Sequence, residues 1–152
     1  MHTIKIVQFH EATAALRAVA HFDTNPNAVP GFGLWYGMLF VGDRASCCDE
    51  AAVVEVEDGL LVALASIAPN GEQESGEPTI VGLYTLPPFR GHGFGKAALE
   101  AAIVRCLERG FTKIRIDALT PGSVKTIQSL SESSLAVLDV HDQSVYGGLL
   151  PQ

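Results

Sequence analysis

The segment Arg90-Gly91-His92-Gly93-Phe94-Gly95 constrains this chain more than any other, because it sets three glycines at alternate positions between two regular elements. Before it, residues 79–86 are rich in β-branched and apolar side chains, as a buried strand requires. After it, residues 94–109 repeat their apolar side chains every three and four positions, as a helix does. Glycine lets the backbone approach a ligand closely and turn successive N–H groups inward. The helix adds its unpaired first amides and the positive end of its dipole. Strand, glycine turn and helix start, in that order, predict a phosphate or pyrophosphate site.

The other elements fall into order around that turn. Residues 1–9 predict a first strand with Ile4 and Ile6 on one face. Residues 11–22 predict an Ala- and Leu-rich helix, stopped by the run Asp23-Thr24-Asn25-Pro26-Asn27. Residues 29–48 have no clean period and receive no assignment. Two strands, 52–57 and 60–68, flank Asp58-Gly59, a turn that exploits the positive φ open to glycine. The second is almost wholly apolar, as expected of a strand covered on both faces. A polar loop over 70–77 then completes an antiparallel meander spanning 52–86.

In the helix over 94–109, Leu99, Ala102, Ile103, Cys106 and Leu107 form one stripe. Lys96, Glu100, Arg105 and Glu108 lie on or beside the other face, and Gly110 suits a C-cap. A strand over 112–119, a short helix over 122–130 and a strand over 135–140 follow. A His141-Asp142 turn then leads to a weak last strand through Val145 and Tyr146. No repeat or linker interrupts the chain. Residues 1–152 are expected to form a single α+β domain, a mixed six- to seven-stranded sheet flanked by helices on both faces.

Composition narrows the chemistry. With 47% apolar and 18% charged residues, a largely disordered chain is excluded. No apolar run reaches the roughly 18–20 residues that cross a bilayer. Residues 1–10 lack the basic start and apolar stretch of a signal peptide, so a cytoplasmic location and no membrane partner are expected. A net charge of −7 argues against nucleic acid and eases the approach of cationic substrates such as amines. Cys47, Cys48 and Cys106 are odd in number, include an adjacent pair and have no histidine at zinc-site spacing. Reduced thiols and no metal are expected.

Three phosphate-binding patterns compete for the glycine turn. A P-loop fails, because Arg90 stands where its first glycine belongs and Ala97 replaces the hydroxyl. A dinucleotide fingerprint fits Gly93 to Ala98 as G-x-G-x-x-A, with Asp117 ending the next strand. It normally opens a series of βαβ units, whereas here an antiparallel meander precedes it. The third pattern is a resemblance. Arg90, Gly93 and Gly95 match Q/R-x-x-G-x-G/A, motif A of the GNAT acyltransferases, and the strand, Pro87 and long helix around them are similar to that family.

The resemblance implies an acetyl-coenzyme A-dependent N-acyltransferase. Backbone amides from Gly91 through Lys96, including those of His92 and Phe94, would hold the pyrophosphate, and the side chains of Arg90 and Lys96 would either assist the phosphates electrostatically or merely flank the helix start. Leu83, Tyr84 and Thr85 would offer main-chain groups to the pantetheine arm, with an N–H near Thr85 polarising the thioester. Asp117 resembles the acid that some members place beside the cleft. After the fifth strand the family usually shows N-x-x-A-x-x-x-Y. Ser123 and Leu130 stand here for the asparagine and the tyrosine that protonates the leaving thiolate. Tyr84 and Tyr146 are the candidates to replace that acid. Residues 32–36 are a weak candidate for the acceptor pocket wall. The expected acceptor is a small-molecule or peptide amine, with a homodimer as an open association. A non-catalytic acyl-coenzyme A-binding module and a dinucleotide-dependent oxidoreductase remain as alternatives.

Overall fold

A computed structural model describes residues 2–19, 48–70, 77–118 and 121–142. Six strands in these segments form one mixed sheet in chain order, β1-β2-β3-β4-β5-β6. They are β1 (Thr3–Gln8), β2 (Glu50–Val56), β3 (Leu60–Ala68), β4 (Thr79–Thr85), β5 (Ile114–Ala118) and β6 (Leu138–Asp142). Pairing is antiparallel from β1 to β4 and parallel from β4 to β6. The helices are α1 (Phe9–Val19), α2 (Phe94–Glu108), α3 (Pro121–Gln128) and α4 (Glu132–Val137). The α+β mixed sheet read from the sequence is what the chain forms. The expected seventh strand, with Val145 and Tyr146, lies outside the described residues, as does the segment 29–47.

The core sits on β3. Every residue from Leu61 to Ala68 is buried, and both α1 and α2 pack against this strand, so both faces of the sheet are covered. Its apolar run is thus explained by two-sided burial. Gly59 supplies the expected positive φ, +74°, in a short 3₁₀ turn over Glu57–Gly59. Glu57 therefore lies in the turn and not in the strand expected over 52–57. Glu55 pairs across the sheet with Lys5 on β1 at 3.0 Å.

Helix α2 buries Ala98, Leu99, Ala102, Ile103 and Cys106. Leu107, predicted for this stripe, is 42% exposed, because it sits at the edge of a narrower buried face. The helix ends in a Schellman arrangement. Phe111 donates its N–H to the Cys106 carbonyl, Gly110 donates to Leu107, and Gly110 has φ +93°. Two arginines then tie this end to the start of β2. Arg105 donates to both carboxylate oxygens of Glu50 at 3.0 and 3.1 Å, so it is no free outer-face residue. Arg109 donates to both oxygens of Asp49 at 3.1 and 2.9 Å, and to Glu50 at 2.9 Å.

The C-terminal third departs most from expectation. Residues 135–137 belong to α4, and the strand begins only at Leu138. The Ser131 side chain accepts the Ser134 N–H and its carbonyl accepts that of Leu135, so a serine N-cap starts a helical turn before the β-branched run. His141 and Asp142 are not a turn. They continue β6, opposite Asp117 and Ala118 of β5.

Candidate active site

The site begins where two parallel strands part. β4 and β5 pair only at Thr79↔Arg115 and Ile80↔Ile116, although both strands run on. A bulge follows at once on β4. Leu64 faces Tyr84 and Ser66 faces Val81, so Gly82 and Leu83 together oppose Ala65. Gly82 takes φ +66°, which a β-carbon would strain. A bulge of this kind bends its strand and re-aims the residues beyond it. Here it diverts residues 83–85 from β5 and opens a gap between the strand ends. The sequence carried a signal for it, an isolated glycine inside a strand pattern.

Alternation decides which backbone groups face that gap. Leu86 donates its N–H to the Val62 carbonyl on β3 at 2.8 Å. Successive residues direct their backbone groups to opposite sides, so the N–H and carbonyl of Thr85 face the side from which β5 has parted.

A 3₁₀ turn over Pro87–Phe89 then carries the chain to the glycines. Gly91 and Gly93 take φ of +82° and +81°, and Gly93 is the N-cap of α2. A glycine cap brings no side-chain oxygen to the helix start, and no acidic residue lies in the first turn. The first α-helical bond runs from Ala97 N–H to Gly93 carbonyl, at 3.0 Å. The amides of Phe94, Gly95 and Lys96 therefore precede the helical ladder and point along the axis. This donor set fits an anionic group such as a pyrophosphate.

The surrounding side chains pack more than they reach. Phe94 forms ring contacts with His2, Phe89 and His92, at centroid distances of 5.4, 6.3 and 6.0 Å. His92 itself is exposed. Lys96 lies 3.9 Å from Glu100 along the helix surface. Arg90 turns back to β4, where its Nε donates to the Thr85 carbonyl at 3.0 Å and its guanidinium lies 5.5 Å from the Tyr84 ring centre.

Of the catalytic candidates, Tyr84 is buried beneath that guanidinium. Burial pushes its phenol above the usual tyrosine range, and the charge and hydrogen bond of Arg90 pull partly back. Asp117 lies one residue past the last β4–β5 pair and so borders the gap. Its carboxylate accepts from Arg115 Nε at 3.2 Å on the same strand. Tyr146 lies outside the described residues. Leu130, which the sequence resemblance set in the place of a tyrosine, is buried in the core cluster with Ile127 and Leu138. Cys106 is a buried free thiol, Cys48 is half-buried, and Cys47 is outside the described residues. Among the described residues no group of His, Cys, Asp and Glu is placed to hold a metal, and no helix is long and apolar enough to cross a membrane.

A mixed sheet with a parted parallel pair, ending at a glycine-capped helix start, defines an α+β class with an open strand edge beside the first amides of a helix. The chain belongs to the acetyltransferase (GNAT) family, whose profile matches residues 17–128. A comparison with curated protein sequences gives no match. Several solved structures share the fold. Ribosomal-protein-alanine N-acetyltransferase from Brucella melitensis biovar Abortus 2308 is 20% identical, with 86% of this chain and 91% of that one covered, at a TM-score of 0.54. Glucosamine-6-phosphate N-acetyltransferase from Arabidopsis thaliana is 16% identical, with 87% and 92% covered, at 0.52. A GNAT family N-acetyltransferase from Escherichia coli in complex with CoA is 12% identical, with 78% and 63% covered, at 0.53. The dinucleotide alternative loses its support, since the glycine turn follows an antiparallel meander within this fold.

Proposed function

We propose that this acetyltransferase binds acetyl-coenzyme A along β4 and moves its acetyl group to a primary amine by direct attack on the thioester. The observation that supports this most is the gap between β4 and β5 beyond Ile80, bordered by the bulge at Gly82, with the start of α2 set beside Thr85 at the strand end. An extended ligand with a pyrophosphate at one end matches that layout. The amides of Phe94, Gly95 and Lys96 would take the pyrophosphate, and residues 83–85 would lie beside the pantetheine arm. The solved Escherichia coli relative with CoA bound points to the same cosubstrate.

In the proposed reaction the amine nitrogen attacks the thioester carbonyl. The C–N bond forms and the C–S bond breaks. The Thr85 N–H faces the gap and would donate to the carbonyl oxygen as it gains charge, a large catalytic contribution in a dry site. Asp117 borders the gap and would accept the proton that leaves the amine. Tyr84, kept as a neutral phenol by burial, would be a donor to the departing thiolate and not a base. The net charge of −7 favours the approach of a cationic amine, on a small molecule or a peptide.

Two measurements test the proposal. Thermal unfolding is followed with acetyl-coenzyme A, coenzyme A and NADH. Ligand at a hundred times its dissociation constant adds about 2.7 kcal/mol and raises the midpoint by several degrees. Stabilisation by the coenzyme A compounds and not by NADH is the expected result, and the reverse overturns the cosubstrate assignment. Free-thiol release over a panel of primary amines then reads the transfer. Binding without amine-dependent release over a broad panel, peptides included, would favour the non-catalytic module, a reading that Leu130 in the place of the family tyrosine keeps alive.

A further inference from the structure

We infer that Arg90 is a positioning residue, which closes the unpaired edge of β4 and holds Thr85 against the reacting thioester, and not a ligand of the phosphates. The inference rests on the coenzyme A reading above and concerns the work of one side chain within it.

The Thr85 carbonyl faces the side from which β5 has parted. In a complete sheet a neighbouring strand would donate to it, and a backbone acceptor left without a donor is costly. Arg90 Nε stands in for that strand, at 3.0 Å. The guanidinium also lies over the Tyr84 ring, 5.5 Å from its centre, so both contacts hold it on residues 84 and 85. The start of α2 also comes close to the same residue. A β-carbon on Gly95 would stand 3.1 Å from Thr85 Oγ1, tighter than an ordinary contact. Thr85 is therefore held at its carbonyl by Arg90, with the start of α2 close to its side chain.

That arrangement divides the labour of the site. The glycine turn supplies the anion-binding amides from its own backbone, with no need of the Arg90 charge. The backbone of Thr85 has lost its ladder partner on one side and owes its orientation to the arginine. Loosening that grip would turn the Thr85 N–H away from the thioester while leaving the nucleotide end of the ligand undisturbed.

The test compares two probes on the full chain by calorimetric titration, coenzyme A and adenosine 3′-phosphate 5′-diphosphate, which lacks the pantetheine arm. Wild type, Arg90→Gln and Arg90→Lys are titrated, with the unfolding midpoint of each recorded. Wild type should bind coenzyme A more tightly than the nucleotide. If it binds neither, the coenzyme A reading itself falls and takes this inference with it. Both variants should keep the nucleotide affinity within about twofold and lose roughly tenfold of the preference for coenzyme A, the scale of one hydrogen bond from a charged donor. Parallel weakening of both probes would show a phosphate ligand and overturn the inference. Unchanged affinities for both would overturn it as well. Lysine keeps the charge without the planar fork, so wild-type values for Arg90→Lys would also refute a positional role. Should Arg90→Gln not fold, Arg90→Lys carries the same comparison.

Discussion

Thr85 and Gly95 meet so closely that the hydroxyl of the first stands 3.1 Å from the point where a β-carbon on the second would lie. The end of β4 and the start of α2 are thereby set at one spacing, which brings the strand edge and the helix amides side by side. Gly95→Val puts a branched side chain into that contact and should cost about 1–3 kcal/mol by overpacking. Chemical denaturation checks the stability. The same variant should weaken coenzyme A binding in calorimetry, since the pyrophosphate amides and the pantetheine edge no longer keep their distance.

Gly93 differs in kind. A β-carbon there would meet nothing within 4 Å, but the residue has φ +81°. Gly93→Ala should therefore cost about 1–2 kcal/mol from left-handed backbone strain alone. Relief of that strain would rotate the first amides of α2, and the thermal shift caused by acetyl-coenzyme A should shrink. A variant with an undiminished shift would remove the glycine turn from the cosubstrate site.

Arg109 bridges Asp49 and Glu50 at the far end of α2. Its partners are only partly exposed, and Glu50 is 15% exposed. Arg109→Ala should cost about 1–2 kcal/mol, between an exposed pair and a buried charged hydrogen bond, and the loss should shrink in high salt. Urea unfolding at low and high ionic strength measures both. Affinity for coenzyme A should not change, because this end of the helix lies away from the turn.

Cys106 gives an alkaline signature. Burial pushes its thiol from an ordinary 9.0 up to about 11. Between those values the unfolded chain releases the proton while the folded chain keeps it. The stabilisation is complete below pH 9.0 and declines as pH rises towards about 11. Stability curves across that window should fall, and less so in Cys106→Ala after allowance for its lower baseline. At pH 8, alkylation followed by mass spectrometry should leave Cys106 unmodified in the folded protein and label it after denaturation.

Tyr84→Phe and Asp117→Asn separate the proposed proton transfers. Tyr84→Phe should lower amine-dependent thiol release at saturating acetyl-coenzyme A, with little change in binding of the cosubstrate. The loss should be about 10²-fold if the phenol is the general acid. Asp117→Asn should lower the same rate, again with little change in binding of the cosubstrate. A rate unaffected by either change would return both residues to structural roles, Asp117 as the partner of Arg115 and Tyr84 as the platform for Arg90.

The sequence by itself determined the local elements and the glycine turn. Period decided α2, a nearly unbroken apolar run marked β3 as covered on both faces, and glycines at alternate positions declared the Arg90–Gly95 turn, since these depend on near neighbours in the chain. A resemblance carried by six residues identified the family. Tertiary structure decided what distant residues do together. No spacing shows that β4 and β5 pair for two residues and part, because strand pairing lies outside the periodicity of either strand. The Asp49 and Glu50 links to Arg105 and Arg109 join positions more than fifty residues apart. Residues 135–137 read as strand by composition and became helix because Ser131 caps the turn before them, a case of a local hydrogen bond outweighing β propensity. Arg90 shows the same division most sharply. The motif marked the residue, and only the folded strand edge shows that its side chain turns back to Thr85, because the carbonyl there has lost the strand that would have bonded it.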